Sequence, residues 1–226
     1  MVRVVFKDAS GNVLDYRDYP QGGIIRAVDL GLDVYWGDSN IGSTSPEDYG
    51  EYFAWGEIET KETFNWSSYL WAEATPVYFN DVYQGEDVSL LKYTSEANPV
   101  LESGDDVAHV RLGGKWRMPT EEDWSELREN CTWEWTTQNK VKGHSITSNL
   151  NGNSIFLPAT GYKDGAEHYS SDGVCGIYWS STLVTGVGAS YDYYCARTII
   201  IDRNRFQGMM HNRCSGFTVR PVVTPN

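Results

Sequence analysis

Three acidic side chains stand side by side in the stretch GGKWRMPTEEDWSEL: Glu121, Glu122 and Asp123. Neighbouring carboxylates can do general acid–base chemistry when their surroundings hold one protonated and the other ionised. Their position argues for another role. Thr120 follows Pro119 and can cap the first helical N–H groups, and Asp123 has the spacing of its partner in a capping box. Negative charge in a first turn also complements the positive end of the helix dipole. Trp124, Leu127 and Cys131 then recur at i, i+3 and i+7, so the spacing predicts a helix with one buried stripe. The three acids read as first-turn residues facing water, and the stretch reads as framework.

Other residues capable of chemistry are dispersed. Cys131, Cys175, Cys195 and Cys214 contain no CxxC pair, which argues against a zinc ribbon or a thioredoxin-like site. Four thiols allow three disulfide pairings or none, and buried free cysteines acting as small hydrophobes are the simplest reading. His109, His144, His168 and His211 lack metal-ligand spacing, so each reads as an isolated core or surface histidine. The segment GYKDGAEHYSSDG (161–173) has turn acids that could meet a cation, but not in the register of an EF-hand loop. No Ser-His-Asp signature, P-loop or GxGxxG occurs. The expectation is a non-enzymatic chain without metal or cofactor.

The elements that must position any site are mostly β. The 226 residues include 9 Trp and 15 Tyr, too aromatic for a disordered chain. A net charge of −13 disfavours nucleic acid as partner, and no apolar run approaches the ~18 residues of a membrane span. The opening VRVVFKDASGNVLDYRDY reads as a β-hairpin turning at Ser10–Gly11–Asn12, with PQGG (20–23) as a break. Residues 1–23 are therefore expected to be an appendage to a domain spanning 24–226. No signal peptide is legible at the start; either the protein is not secreted by that route or, as the strand-like opening MVRVVF fits, a leader is trimmed from this chain. Ser45, Pro46 and Asp48 predict one helical turn that Gly50 ends. Ser103, with Asp106 at the third position, predicts a second helix ending at Gly113. Residues 58–100 read as a long aromatic-rich excursion, of a length usually functional or containing structure of its own. WEWTTQ, KGHSITSN, NSIFLPATGY, GIYWSST, SYDYYCARTIII and GFTVRPVV read as strands. The fold class is α+β with an antiparallel or mixed sheet.

Residues 183–214 stand out between two framework-like stretches, YWSS and SGFTVRPV. They hold Tyr191, Tyr193, Tyr194, Arg197, Ile199, Ile200, Ile201, Arg203, Arg205, Phe206, Met209, Met210 and His211. Tyr, Arg and Met are enriched at interface centres. Three successive Ile break the alternation of a one-sided sheet, so at least one would point away from the core. The candidate ligand-binding set is Tyr191, Tyr193, Arg197, Ile199, Ile201, Arg203, Arg205, Phe206, Met209, Met210 and His211, with the aromatic excursion 64–83 as a second contributor. Ordinary sheet and core is the alternative reading of the same segment.

GGKWRMPTEEDWSEL, YFAWGE, IFLPATGY, YWSST and RCSGFTVRPV, taken in order with the opening AVDLGLDVYWGDSNIGSTSPEDYGEYFAWGE, resemble the major paralogous domain family named for Fibrobacter succinogenes. The likeness runs over about residues 24–223. That family is abundant in surface and secreted proteins of gut Bacteroidetes. WRMPTEEDW and GFTVRPV also resemble signatures of the formylglycine-generating enzymes. The resemblance implies a C-type-lectin-like fold: two short helices, a twisted antiparallel sheet with neighbouring termini, and long loops. It implies placement outside the cell, on its surface or on a phage particle, with an unidentified protein or glycan on another surface as partner. The copper-binding cysteine pair of the formylglycine-generating enzymes has no counterpart, since Cys195 and Cys214 are far apart in sequence. The His-x3-His-x-Glu set of the related sulfoxide synthases and the Glu-Pro-Asn or Gln-Pro-Asp sugar signals of lectins are also absent. Residues 183–214 resemble, by position, the segment rewritten at adenine-containing codons in variable proteins of diversity-generating retroelements. The resemblance thus implies a binding or display module; an oxidase-like enzyme and a structural domain of a larger surface or fimbrial protein are the alternatives.

Overall fold

The computed structural model of the chain describes residues 2–7, 13–19, 24–169, 173–188 and 192–225. Strands β1 (Val2–Lys7) and β2 (Val13–Tyr19) pair antiparallel from Val2↔Tyr19 to Phe6↔Asp15, with an irregularity before Lys7↔Val13. The expected turn at 10–12 and the break at 20–23 lie outside the described residues. The body begins with β3 (Ala27–Val28) and β4 (Tyr35–Gly37). A 3-10 turn at Trp66–Ser68, capped by Asn65, leads into the long strands β5 (Ala72–Phe79) and β6 (Val82–Leu90). Then come α1 (Val107–Leu112), β7 (Trp116–Arg117) and α2 (Glu121–Asn130). The remainder is β8 (Cys131–Gln138), β9 (Val141–Ser148), β10 (Ser154–Pro158), β11 (Tyr162–Asp164), β12 (Glu167–Tyr169), β13 (Cys175–Leu183), β14 (Cys195–Asp202), β15 (Arg205–Asn212) and β16 (Val222–Val223). Among the described residues every strand ladder is antiparallel. With its two short helices the fold is α+β, mostly β. Strands β3, β4, β16 and β7 form one sheet, so Val28 and Val222, near the two ends of the body, both pair with Trp36.

Local chemistry explains the helices. In α2, Thr120 accepts from the Asp123 N–H while Asp123 accepts from the Thr120 N–H, the predicted capping box. Trp124, Leu127 and Cys131 are buried, as their spacing predicts. Asp123 does not face water, however. It is buried and takes two hydrogen bonds from Arg117, at 2.6 and 3.1 Å. α1 is capped by Asp106 rather than Ser103. Its carboxylate accepts from Ala108 and His109 and also from Met118, so one side chain ties the helix start to β7. Gly113 ends the helix at φ 72°, as expected. The turn at Ser45–Asp48 stays a turn. There Asp48 accepts from the backbone and hydroxyl of Thr44, closing the loop from its far end and leaving no helix to propagate.

Two hydrophobic layers sandwich the sheet of β13, β14 and β15. One layer contains Trp36, Trp124, Leu127, Ile146, Leu157, Tyr178, Ile199 and Ile201. The other contains Phe53, Trp55, Met118, Ile177, Trp179, Leu183, Ala196 and Phe217. Alternation along β13 sends Tyr178 to the first layer and its neighbours Ile177 and Trp179 to the second. The three isoleucines obey the same rule. Ile199 and Ile201 enter the first layer and Ile200 packs against the second, so the run is unbroken because both faces of the sheet are covered. Burial of each such side chain contributes about 1.5–3 kcal/mol. Arg220, fully buried, is held by donation to Asn40 Oδ1 and to the carbonyls of Gly37 and Phe156.

Candidate functional site

Within the aromatic-rich excursion 58–100, β5 and β6 form a two-stranded ribbon over residues 72–90. Asn80 and Asp81 both adopt positive φ, 48° and 62°, the handedness that joins twisted antiparallel strands through a two-residue turn. The register shifts between Val77 and Tyr78, opposite Gly85, whose φ of 125° suits glycine. At the tip Val77, Tyr78, Phe79, Val82 and Tyr83 are all exposed, Phe79 by 69% and Tyr78 by 61%. The Tyr78 and Tyr83 rings lie 5.9 Å apart. The base is fastened to the body: Trp71 Nε1 donates to Gly56 O at 2.8 Å, and the Leu70 N–H donates to Glu57 Oε1 at 2.7 Å.

Where the ribbon base meets the end of β15 there is a cleft of about 350 Å³. It is lined by Trp66, Glu86, Asp87, Val88, Tyr194 and Asn212. The Tyr194 hydroxyl donates to Val88 O at 3.1 Å, and the Trp66 and Tyr194 rings meet edge to face at 6.0 Å. Period-two alternation puts Glu86 on the same strand face as Val88, and both are half-buried, while Asp87 is exposed at the rim. Among the described residues no hydrogen bond or ion pair engages either carboxylate.

The predicted set does not gather on this surface. Tyr191 lies outside the described residues. Tyr193, at φ 66°, packs partly buried against the second hydrophobic layer, and its N–H donates to Val184 O, so β14 starts only at Cys195. Arg197 is half-buried with Nε 3.2 Å from Glu121 Oε2. Ile199 and Ile201 are core residues, 5% and 0% exposed, and their assignment to a binding surface is corrected. Phe206 is half-buried with its ring 4.0 Å from that of Trp133, and it too serves packing. Arg203, Arg205 and Met209 are exposed, Arg205 donating to Asp202 Oδ2 at 2.5 Å. Met210 is half-buried. His211 Nδ1 lies 2.8 Å from Thr198 Oγ1 and its ring meets Phe217 edge-on at 5.0 Å. Pairing places Phe206, Met210 and Arg197 on one face of the sheet, and Met209 and His211 on the other. Trp66 and Tyr194 belong to the two stretches expected to contribute. Asn212 also lies within 183–214, though neither it nor Tyr194 is in the candidate set; Glu86 and Asp87 fall outside both stretches, because nothing local distinguishes them from solvated strand residues.

The other chemically capable groups are committed to structure. All four cysteines are buried free thiols. Desolvation pushes the Cys131 thiol up to about 11, that of Cys214 up to about 12, and that of Cys195 upward, disfavouring the thiolate needed for metal binding or nucleophilic attack. His144 Nε2 lies 2.8 Å from Asp202 O, His168 Nε2 lies 2.9 Å from the Tyr52 hydroxyl, and His109 Nδ1 lies 3.2 Å from Trp116 O. Burial lowers the pKa of both His144 and His211. Among the described residues, no three His, Cys, Asp or Glu side chains are grouped to hold a metal, and no helix is long and apolar enough to cross a membrane. No family model, curated protein or solved structure matches the chain.

Proposed function

We propose that the chain is a non-enzymatic ligand-binding module on a C-type-lectin-like scaffold, displayed outside the cell or on a phage particle. The scaffold reading is supported by two short helices, antiparallel sheets, a long excursion, and a body whose two ends share one sheet. The observation that carries the binding reading is the ribbon. Five large apolar side chains stand exposed at its tip, and at its base a cleft brings Trp66 together with Tyr194 and Asn212. Contiguous exposed apolar surface rimmed by polar groups is characteristic of interaction sites. The recognition surface is therefore the ribbon together with the Tyr194–Asn212 edge, rather than residues 183–214 as a whole. The oxidase reading is the less favoured, because burial holds Cys195 and Cys214 in the thiol form.

The test is binding to a glycan array and to a panel of purified extracellular proteins. A ligand captured by the native chain should be lost when Tyr78→Ser, Phe79→Ser and Tyr194→Ala are combined, while Tm moves by no more than a few degrees. A variant that binds as tightly as the native chain would overturn the assignment, as would the absence of any ligand across both panels.

A further inference from the structure

We infer that the cleft between Trp66, Glu86 and Tyr194 takes the cationic end of a lysine or arginine side chain presented by a partner polypeptide. The inference deepens the binding-module reading and rests on it. The hydrogen-bonding character of the lining comes first. The Glu86 carboxylate supplies acceptors only, as does that of Asp87 at the rim; Val88 C=O keeps a second lone pair beside the one used by Tyr194, and the Tyr194 oxygen, its proton given to that carbonyl, keeps acceptor capacity. Ammonium and guanidinium groups are donors only and match such a lining. Sugar hydroxyls both donate and accept, and among the lining side chains only the Asn212 carboxamide and the Trp66 indole can donate to them.

Charge points the same way. The ribbon from Ala72 to Leu90 carries Glu73, Asp81, Glu86 and Asp87 and no Lys or Arg. Nearby lysines are committed elsewhere, Lys61 to Glu57 at 2.8 Å and Lys92 to Glu102 and Asp105 at 2.8 and 2.5 Å. Arg213 follows Asn212 in sequence, but its guanidinium lies over the rings of Trp55 and Tyr69 at 5.4 and 5.5 Å and donates to Lys92 O, and among the described residues it forms no ion pair with Glu86. The Trp66 and Tyr194 rings add the negative aromatic faces that attract cations.

Size and surroundings identify the carrier. A cleft of about 350 Å³ is at the small end for ligand sites and suits one side-chain head. The apolar tip begins at Tyr83, three residues from Glu86 and so ~10 Å along the strand, within reach of neighbouring apolar residues on the same polypeptide. A second copy of the chain is a poor occupant, since each carries a net charge of −13, and an anionic membrane is disfavoured for the same reason.

The experiment is an amide and indole NMR titration of the whole chain with tri-arginine, tri-lysine, tri-glutamate and neutral cellotriose. Both cationic peptides should shift the Trp66 indole and the amides of Glu86, Tyr194 and Asn212. Binding should weaken about tenfold or more in Glu86→Gln and weaken further with added NaCl, with Tm unchanged. Three outcomes would overturn the inference: no localised shift from either cationic peptide, equal binding by Glu86→Gln, or stronger perturbation of the same resonances by cellotriose. If any of these occurs while an array ligand is still lost in the ribbon and Tyr194 variant, the binding-module reading stands and the cation specificity falls. If the array ligand is also retained by that variant, both fall.

Discussion

Helix α2 and the β5–β6 ribbon make opposite use of similar materials. Both carry acids and aromatics. In α2 most of the strong features are consumed by the fold: Asp123 closes a capping box and pairs with Arg117, Glu121 lies near Arg197, and Trp124 and Leu127 are fully buried, while Glu122 alone of the three leading acids is exposed. In the ribbon, Glu86 and Asp87 engage no partner among the described residues, and Tyr78, Phe79 and Tyr83 stand in solvent. A cluster of carboxylates is therefore a weak guide to chemistry until its partners are known. Of the acids that look catalytic, Asp123 holds the helix start in place, while Glu86 and Asp87, which look ordinary, have no partner among the described residues.

The largest effects are expected where framework side chains are truncated, one in α2 and one at the cap of α1. Trp124→Ala should cost about 3–5 kcal/mol of unfolding free energy in urea, because a fully enclosed indole leaves a cavity. Asp106→Ala should cost about 1–3 kcal/mol, since three backbone N–H groups, those of Ala108, His109 and Met118, lose their acceptor inside the protein. Both losses are read from the urea midpoint at constant m-value.

A smaller effect is the response to pH. Burial lowers the folded pKa of His144 and His211 below the ordinary 6.5. The contribution of these neutral imidazoles is present above that value and is lost as pH falls through the depressed one. Unfolding free energy should thus decline as pH drops below about 6.5, and His144→Gln with His211→Gln should flatten that part of the profile. A separate decline should begin only near pH 4 and below. There Glu47, held low chiefly by the hydrogen bond from Gln138, and Asp48, held low chiefly by the Thr44 hydroxyl, become protonated. The smallest expected effect is on the ribbon. Tyr78→Ser with Phe79→Ser should change stability by less than about 0.5 kcal/mol, and a loss approaching that of Trp124→Ala would erase the contrast between the regions.

Much of the framework is legible because its signals are local. The capping box at Thr120, the stripe of Trp124, Leu127 and Cys131, and the helix stop at Gly113 each depend on residues within a few positions of one another. The ribbon is less legible. Its turn is Asn80–Asp81 rather than Asn-Gly, and AEATPVYF lacks clean alternation, so length and aromatic content are the only hints that the excursion has structure. Asp106 reads from sequence as a third-position partner of Ser103, yet it is the cap, its carboxylate accepting from Ala108 and His109 and also from Met118, just past the next strand.

By itself the sequence determined the α+β class, the framework helix, most of the strands in the second half, and the two stretches that supply Trp66 and Tyr194. Only the tertiary structure decided how Ile199, Ile200 and Ile201 divide between two layers, since that depends on whether one face of the sheet or both are covered. Only the tertiary structure brought Tyr194 onto Val88, 106 residues away in sequence. Period and capping are written in neighbouring residues. A cleft is made by segments whose meeting is set by how the whole sheet packs, and no local pattern encodes it.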